Sequence, residues 1–250
     1  MLDKFEKMWY YIIKNYTENI GISYDKELYM KDITISAMYS LEHTIAADYL
    51  KNFTYPWEAL AGISDMIIEL GKTLSPDEYD NPAQGIWIHK KATIFPTAYI
   101  GAPCIIGAYT EVRHGAFIRG SALVGENCVV GNSVELKNVI LFDNVQTPHY
   151  NYVGDSILGY KSHMGAGSIT SNVKSDKTLV VIHNEEEIIE TGLKKMGAML
   201  GDCVEVGCNS VLNPGTIICP HSNIYPLSAV RGIVPEESIY KTAAIIIPKE

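Results

Sequence analysis

An apolar side chain stands at every sixth residue through the middle of the chain. The first run of such positions is Ile88, Ile94, Ile100, Ile106, Val112, Ile118, Val124, Val130, Leu136 and Phe142. A residue that is usually small stands two places before each of them, as at Ala98, Cys104 and Ala116. The same step returns in two later runs, from Leu158 to Thr170 and from Leu200 to Val230. This repeat therefore organises most of the chain from about residue 86 onward.

A six-residue step is not a helical pattern, because at 3.6 residues per turn the apolar side chains would rotate around the helix axis. The step fits short strands joined by tight corners. It resembles the pattern of the hexapeptide-repeat family, whose fold is a left-handed parallel β-helix with three hexads in each triangular coil. The resemblance implies a mainly β protein, with a single-stranded left-handed parallel β-helix over residues 81–250. Cys104 and Cys128 then fill small inward positions as packing residues.

The first 80 residues follow a helical pattern instead. Apolar residues recur at steps of three and four from Leu2 to Tyr16 and again from Leu60 to Leu70, with Gly71 after the second stripe. These stripes predict amphipathic helices. We expect residues 1–80 to form an N-terminal α-helical segment and a linker. The helices are expected to cover one end of the β-helix, where strand edges would otherwise be unpaired.

The repeat loses its phase at two places, which predicts excursions at about residues 143–157 and 171–199. Departures from strict repetition are the places in a solenoid where functional residues are to be sought. The first departure contains Thr147-Pro148-His149-Tyr150-Asn151-Tyr152-Val153-Gly154-Asp155. Gly165-Ala166-Gly167-Ser168-Ile169-Thr170-Ser171-Asn172 leads into the second.

These two motifs together are similar to the acetyltransferase half of the family of bifunctional N-acetylglucosamine-1-phosphate uridylyltransferase/glucosamine-1-phosphate acetyltransferases. Nothing in the chain resembles the Gly-rich nucleotide loop that opens the uridylyltransferase half. The resemblance implies an acetyl-CoA-dependent N-acyltransferase that acts on an amino-sugar phosphate. It also implies a homotrimer, with active sites between neighbouring β-helices.

The resemblance assigns roles to particular residues. His149 is the expected general base, because an imidazole titrates near neutral pH and can take the proton of the attacking amine. Asp155 or a backbone carbonyl could fix its tautomer. Arg119 and Lys137 stand eighteen residues apart, one full coil, and Lys137 stands twelve before His149, as in the family's sugar-phosphate site. The remaining expected site residues are Asn172, which positions the amine, Tyr152, His163 and Lys177 for the acceptor, and Cys208 and Pro226 for acetyl-CoA.

Composition and charge limit the partners. The 250 residues are 47% hydrophobic and 20% charged, which is typical of a globular chain with a buried core. The formal charge of −9 and the lack of a basic cluster disfavour nucleic acid, so a phosphate must be held by a few placed cations. No long apolar run or leader pattern is present, so we expect a cytoplasmic protein with no membrane partner. The five cysteines lack C-x-x-C spacing, which favours free thiols.

Two alternatives remain open. One is a trimer that binds a sugar phosphate or nucleotide sugar without turnover. The other is a metalloenzyme like the γ-type carbonic anhydrases, which need a His-x-x-x-x-His pair. None of the seven histidines stands five residues from another, so we expect no metal site.

Overall fold

A computed structural model describes residues 32–185, 187–242 and 245–248. The amphipathic stripe predicted from Leu2 to Tyr16 lies outside these residues. The described part of the N-terminal region contains short helices, α1 (Ile35–Met38), α2 (Ala47–Leu50) and α3 (Ile63–Gly71), with 3₁₀ helices at Leu41–His43 and Pro56–Gly62.

The remainder is a parallel β-helix whose strands stack on three faces, as the six-residue repeat predicted. Face 1 contains β2 (Ile86–His89), β5 (Cys104–Ile106), β8 (Ala122–Val124), the second halves of β10 (Glu135–Leu141) and β12 (Tyr152–Leu158), β17 (Ala198–Leu200), β20 (Thr216–Ile218) and β23 (Ile233–Val234). Face 2 contains β3 (Thr93–Ile94), β6 (Glu111–Val112), β9 (Val129–Asn132), β11 (Gln146–His149), β13 (His163–Met164), β18 (Glu205–Val206), β21 (Asn223–Ile224) and β24 (Ser238–Thr242). Face 3 contains β4 (Tyr99–Ile100), β7 (Phe117–Ile118), the first halves of β10 and β12, β14 (Ile169–Thr170), β19 (Val211–Leu212) and β22 (Ala229–Val230).

Antiparallel strands occur at the margins of this stack. β1 (Tyr79–Ala83) pairs with β2, and β25 (Ile245–Pro248) pairs with β24. β15 (Val181–Asn184) and β16 (Glu187–Glu190) form a separate hairpin. None of the described helices is long and apolar enough to cross a membrane.

The interior of the β-helix is filled by the branched residues of the repeat and by the small residues two places before them. Ile106, Val124 and Leu158 are almost completely buried. Burial raises the pKa of the Cys104 thiol to about 12, and that of Cys128 likewise to about 12, as it does for thiols surrounded by apolar groups. Both cysteines are therefore packing residues.

The first predicted excursion, at 143–157, is wrong, because these residues stay in the coil. Val124 pairs with Leu141 and Leu141 with Leu158, so two successive coils are 17 residues long, where Ile106 and Val124 are 18 apart. The corner between faces 3 and 1 is one residue short in both coils, and β10 and β12 run through it unbroken. Leu141 therefore takes the inward position that the repeat predicted for Phe142.

The second departure does leave the coil. The chain leaves after β14, which ends at Thr170, and returns at β17, which begins at Ala198. The hairpin β15–β16 lies between these points, and the coil resumes with Leu158 paired to Leu200. Val180 and Ile182 are buried, so the base of the excursion packs as part of the fold.

The described helices cover face 1 and not an end of the β-helix, which corrects the sequence-based expectation. The Pro56–Gly62 3₁₀ helix contacts β12, and α3 contacts β5, β8 and β10. The Asp202 carboxylate accepts backbone hydrogen bonds from both sides, from Ser40 N–H at 2.8 Å and from Tyr160 N–H at 2.8 Å. The physical reason is that face 1 is apolar on its outer side as well. Its outward residues Ile105, Leu123, Ile140, Ile157, Met199 and Ile217 are all fully buried.

Candidate functional site

A buried carboxylate, Asp155, organises the corner between faces 3 and 1. Its Oδ1 accepts hydrogen bonds from Lys137 Nζ at 2.7 Å and from Asn138 Nδ2 at 2.9 Å. Its Oδ2 accepts one from Asn172 Nδ2 at 2.5 Å. Asp155 is only 3% exposed, and a buried carboxylate is tolerated only when it is paired and hydrogen-bonded in this way.

The short corner explains why these residues meet. Asn138, Asp155 and Asn172 follow one another at 17-residue steps, so they occupy the same place in three successive coils. Asn138 and Asp155 have φ values of 55° and 49°. Asn and Asp tolerate this left-handed conformation better than other residues with a Cβ, so the tight corner itself selects side chains that can hydrogen-bond.

Tyr152 adjoins this cluster on face 3. Its hydroxyl accepts a second hydrogen bond from Asn172 Nδ2 at 3.2 Å. Burial, and then the nearby Asp155 carboxylate, raise the pKa of the Tyr152 hydroxyl, which therefore stays protonated at neutral pH. A Cβ on Gly154 would lie 2.4 Å from the Tyr152 hydroxyl oxygen, so glycine is needed at this point of the motif.

Arg119 lies one coil before Lys137, because Ile118 pairs with Leu136. Its Nη1 donates to Glu135 Oε1 at 2.8 Å, and this hydrogen bond raises the pKa of the guanidinium further. Arg119 and Glu135 are both well exposed, with side chains 46% and 34% accessible, whereas the partner of Lys137 is buried. An exposed pair separates at little cost, so Arg119 is the cation that can readily exchange its carboxylate for a ligand anion.

His149 lies at the other edge of face 3, on the corner with face 2, and its side chain is exposed. Its backbone N–H donates to Asn151 Oδ1 at 3.1 Å, and the buried Asn151 amide donates to Gly165 O at 2.8 Å. The imidazole makes no hydrogen bond to any residue that the structure describes. Asp155, considered above as its orienting group, instead binds Lys137, Asn138 and Asn172.

Three residues stack on His149 along this corner, one in each following coil. They are Ala166, Cys208 and Pro226, as the hydrogen bonds Gly167 N–H to His149 O, Asn209 N–H to Ala166 O and Leu227 N–H to Cys208 O show. Cys208 and Pro226, both expected at the acetyl-CoA site, thus share the edge of His149. Cys208 is two coils away, about 10 Å at the usual strand spacing.

Ala166 is the residue of this corner that the sequence reasoning missed as a site residue. It lies in the coil next to His149, and its backbone N–H has no partner among the described residues. The Gly165-Ala166-Gly167 wording was the available signal, since close stacking needs glycines on both sides. A Cβ on Gly165 would lie 2.7 Å from Cys208 N.

Two predicted site residues lie apart from the Asp155 cluster. His163 is on face 2, where its Nδ1 lies 2.8 Å from Glu205 Oε2 in a shallow pocket of about 370 Å³. Lys177 is exposed in the excursion, with a left-handed φ of 60°, and makes no printed side-chain bond to the cluster within the described chain. The structure therefore brings Lys137, Tyr152 and Asn172 together in one chain, but not His163 or Lys177.

The two edges of face 3 define the candidate site as a whole. His149 and Tyr152 are three residues apart, about 10 Å of extended chain. A ligand lying across the face can therefore present one end to the imidazole and the other to Arg119. Across the described ranges, no three His, Cys, Asp or Glu side chains are grouped so that they could hold a metal ion.

Comparisons with known proteins agree with the motifs. The family model described as "GMPPB C-terminal domain" matches residues 102–233. The bifunctional protein GlmU of Methanococcus maripaludis is 30% identical over 206 residues, which are 81% of this chain and 50% of that protein. The bifunctional sugar-1-phosphate nucleotidylyltransferase/acetyltransferase of Sulfurisphaera tokodaii is 30% identical over 154 residues, covering 62% of this chain and 38% of that protein. These findings confirm the predicted resemblance.

The chain spans half or less of the length of these two relatives. Among solved structures, a hexapeptide transferase family protein from Anaplasma phagocytophilum matches with a TM-score of 0.38 and 16% identity. That match covers 66% of this chain and 79% of the other. A likeness this low adds nothing to the functional argument.

Proposed function

We propose, from the premise that this chain belongs to the family of the GMPPB C-terminal domain, that it transfers an acetyl group from acetyl-CoA to the amine of an amino-sugar phosphate such as glucosamine 1-phosphate. The family model covers more than half of the chain. The name of one relative joins a sugar-1-phosphate nucleotidylyltransferase to an acetyltransferase. The observation that carries the proposal is the pairing of an exposed imidazole at one edge of face 3 with a cationic, hydrogen-bonded cluster at the other.

His149 acts as the general base. The amine nitrogen attacks the thioester carbonyl carbon, a C–N bond forms, and the imidazole takes the proton that the nitrogen loses. The C–S bond then breaks, and the CoA thiolate leaves and is protonated. The unpartnered N–H of Ala166, one coil from His149, is suited to stabilise the oxyanion, with the Cys208 N–H next along the same corner.

The acceptor is held at the Asp155 corner. Arg119 exchanges Glu135 for the phosphate, since guanidinium and phosphate match in a bidentate geometry. Lys137 adds a fixed positive charge, while Asn172 and Tyr152 contact the sugar. His163 and Lys177 contact a second ligand region or a neighbouring subunit, and Pro226 lies along the path of the acetyl-CoA chain.

The test is thiol release from acetyl-CoA in the presence of a panel of amino-sugar phosphates. We expect turnover by the wild type and a loss of at least 100-fold in His149→Ala, since general-base catalysis contributes about 10²–10⁴-fold. His114→Ala is the matched control, because His114 is also an exposed histidine of this corner column. Wild-type inactivity across the panel, or an unchanged rate in His149→Ala, contradicts the proposal.

A second candidate is a protein that binds the sugar phosphate without turnover. It is favoured by one observation, that no described residue orients the His149 imidazole. Thermal shift separates the two candidates, because a bound ligand raises the melting temperature. Stabilisation by a sugar phosphate and none by CoA favours binding alone.

We also propose a homotrimer. Face 3 exposes Tyr99 and Phe117, whose rings lie 5.4 Å apart, at outward positions in line with Tyr152. Burying such a patch between copies is favourable. Light scattering that finds only a monomer of 27.7 kDa contradicts this assembly.

A further inference from the structure

The candidate acceptor site is tied to the N-terminal helices by one side chain. Asn138 Nδ2 donates to Asp155 Oδ1 at 2.9 Å and also to the backbone carbonyl of Leu60 at 3.2 Å. Leu60 belongs to the Pro56–Gly62 3₁₀ helix, which packs on β12. Asn138 therefore joins two parts of the chain that are 78 residues apart in sequence.

The Leu60 carbonyl is a well-fixed acceptor. Glu58 Oε2 accepts hydrogen bonds from Thr54 N–H at 2.9 Å and Tyr55 N–H at 2.8 Å, which closes the start of the 3₁₀ helix. Trp57 is 2% exposed and stacks on Tyr55 with ring centroids 4.6 Å apart. The end of the Asn138 amide is thus held by a rigid element.

The other end of the contact determines where the site's donors point. Asp155 Oδ1 is shared by Asn138 and Lys137, and Oδ2 is bound by Asn172. A rotation of the carboxylate about its Cβ–Cγ bond would move the Lys137 ammonium and the Asn172 amide together. The amide of Asn138 opposes that rotation, because it is anchored at Leu60.

We propose that Asn138 is a positioning residue through which the N-terminal helical segment sets the geometry of the acceptor site. The inference rests on the proposed function, since the site it serves is the one that binds the amino-sugar phosphate. The N-terminal segment is then a working part of that site as well as a cover for face 1. Changes at its 3₁₀ helix alter acceptor binding without touching the acceptor.

The same 3₁₀ helix also adjoins the hairpin that leaves the coil at Asn172. Burial raises the pKa of the Tyr55 hydroxyl, and the Glu187 carboxylate of the hairpin adds to this shift. Tyr55 thus lies near the hairpin while Leu60 holds Asn138. This places the helix beside two elements of the acceptor corner.

The first test compares Asn138→Gly with Asn127→Gly. Asn127 is a corner residue with a φ of 52° whose side chain has no printed hydrogen bond, so both changes keep a left-handed backbone and only one removes the link. We expect Asn138→Gly to raise the acceptor KM about tenfold, with the acetyl-CoA KM and the melting temperature close to those of Asn127→Gly. Equal acceptor KM values for the two variants overturn the inference.

The second test breaks the anchor from the other side. Glu58→Ala removes the cap of the 3₁₀ helix, so we expect the acceptor KM to rise there too. The double variant Asn138→Gly/Glu58→Ala should show no further rise, because both changes break one connection. Additive effects overturn the inference.

If Asn138→Gly fails to fold, Asn138→Asp replaces it, because Asp has the same shape but cannot donate to Leu60 or Asp155 when ionised. An unchanged acceptor KM in that variant also overturns the inference. Failure of the proposed function is a separate result, because it shows as an inactive wild type. Failure of this inference shows as an active wild type whose acceptor KM does not depend on Asn138.

Discussion

At the scale of single residues, the site is decided by which carboxylates are buried. Glu135 and Asp155 each bind one of the two cations that the motif spacing identified, but Glu135 is partly exposed and Asp155 is not. Sequence spacing predicted that Arg119 and Lys137 stack one coil apart, and the register places them so. It could not predict their partners, because side-chain pairing depends on burial that the spacing does not contain.

The contrast between the two carboxylates is testable by stability. We expect Asp155→Asn to lower the free energy of unfolding by about 2 kcal/mol or more, because buried donors lose a charged acceptor. Glu135→Gln should leave the urea midpoint nearly unchanged, since exposed ion pairs contribute little. Equal shifts in the two variants contradict the assignment of Asp155 as the organising group.

At the scale of elements, the six-residue repeat predicted the strands well and the corners poorly. The repeat could not show that the phase loss near Phe142 is two 17-residue coils and not an excursion, because a missing residue and a loop break the pattern alike. The docking face of the helices was recoverable. Ile105, Leu123 and Ile140 place a third apolar residue between the two inward ones on face 1, and that pattern indicates a face buried on both sides.

The covered face predicts an asymmetry among outward positions. Leu123→Ala on face 1 should cost about 2–5 kcal/mol, because Leu123 is fully buried on β8, which contacts α3. Val129→Ala, at an outward and partly exposed position on face 2, should cost much less. Urea unfolding of both variants measures the difference, and a Leu123→Ala variant as stable as Val129→Ala contradicts the docking of the helices on face 1.

At the scale of the whole molecule, the fold leaves face 3 free while helices cover face 1. The candidate base and the cationic cluster lie at the two edges of that free face, where a ligand or a second copy can reach both. With a formal charge of −9, the chain offers an anion little general attraction, so the phosphate must be held by Arg119 and Lys137 locally.

The most direct measurement of this account is the electron density of a crystal soaked with CoA and an amino-sugar phosphate. We predict that the sugar lies across face 3, with its phosphate on Arg119 and its amine within about 3.2 Å of a His149 ring nitrogen. CoA should run along the corner of Ala166, Cys208 and Pro226. A sugar phosphate bound instead in the face 2 pocket of His163 and Glu205, with face 3 empty, would contradict the account.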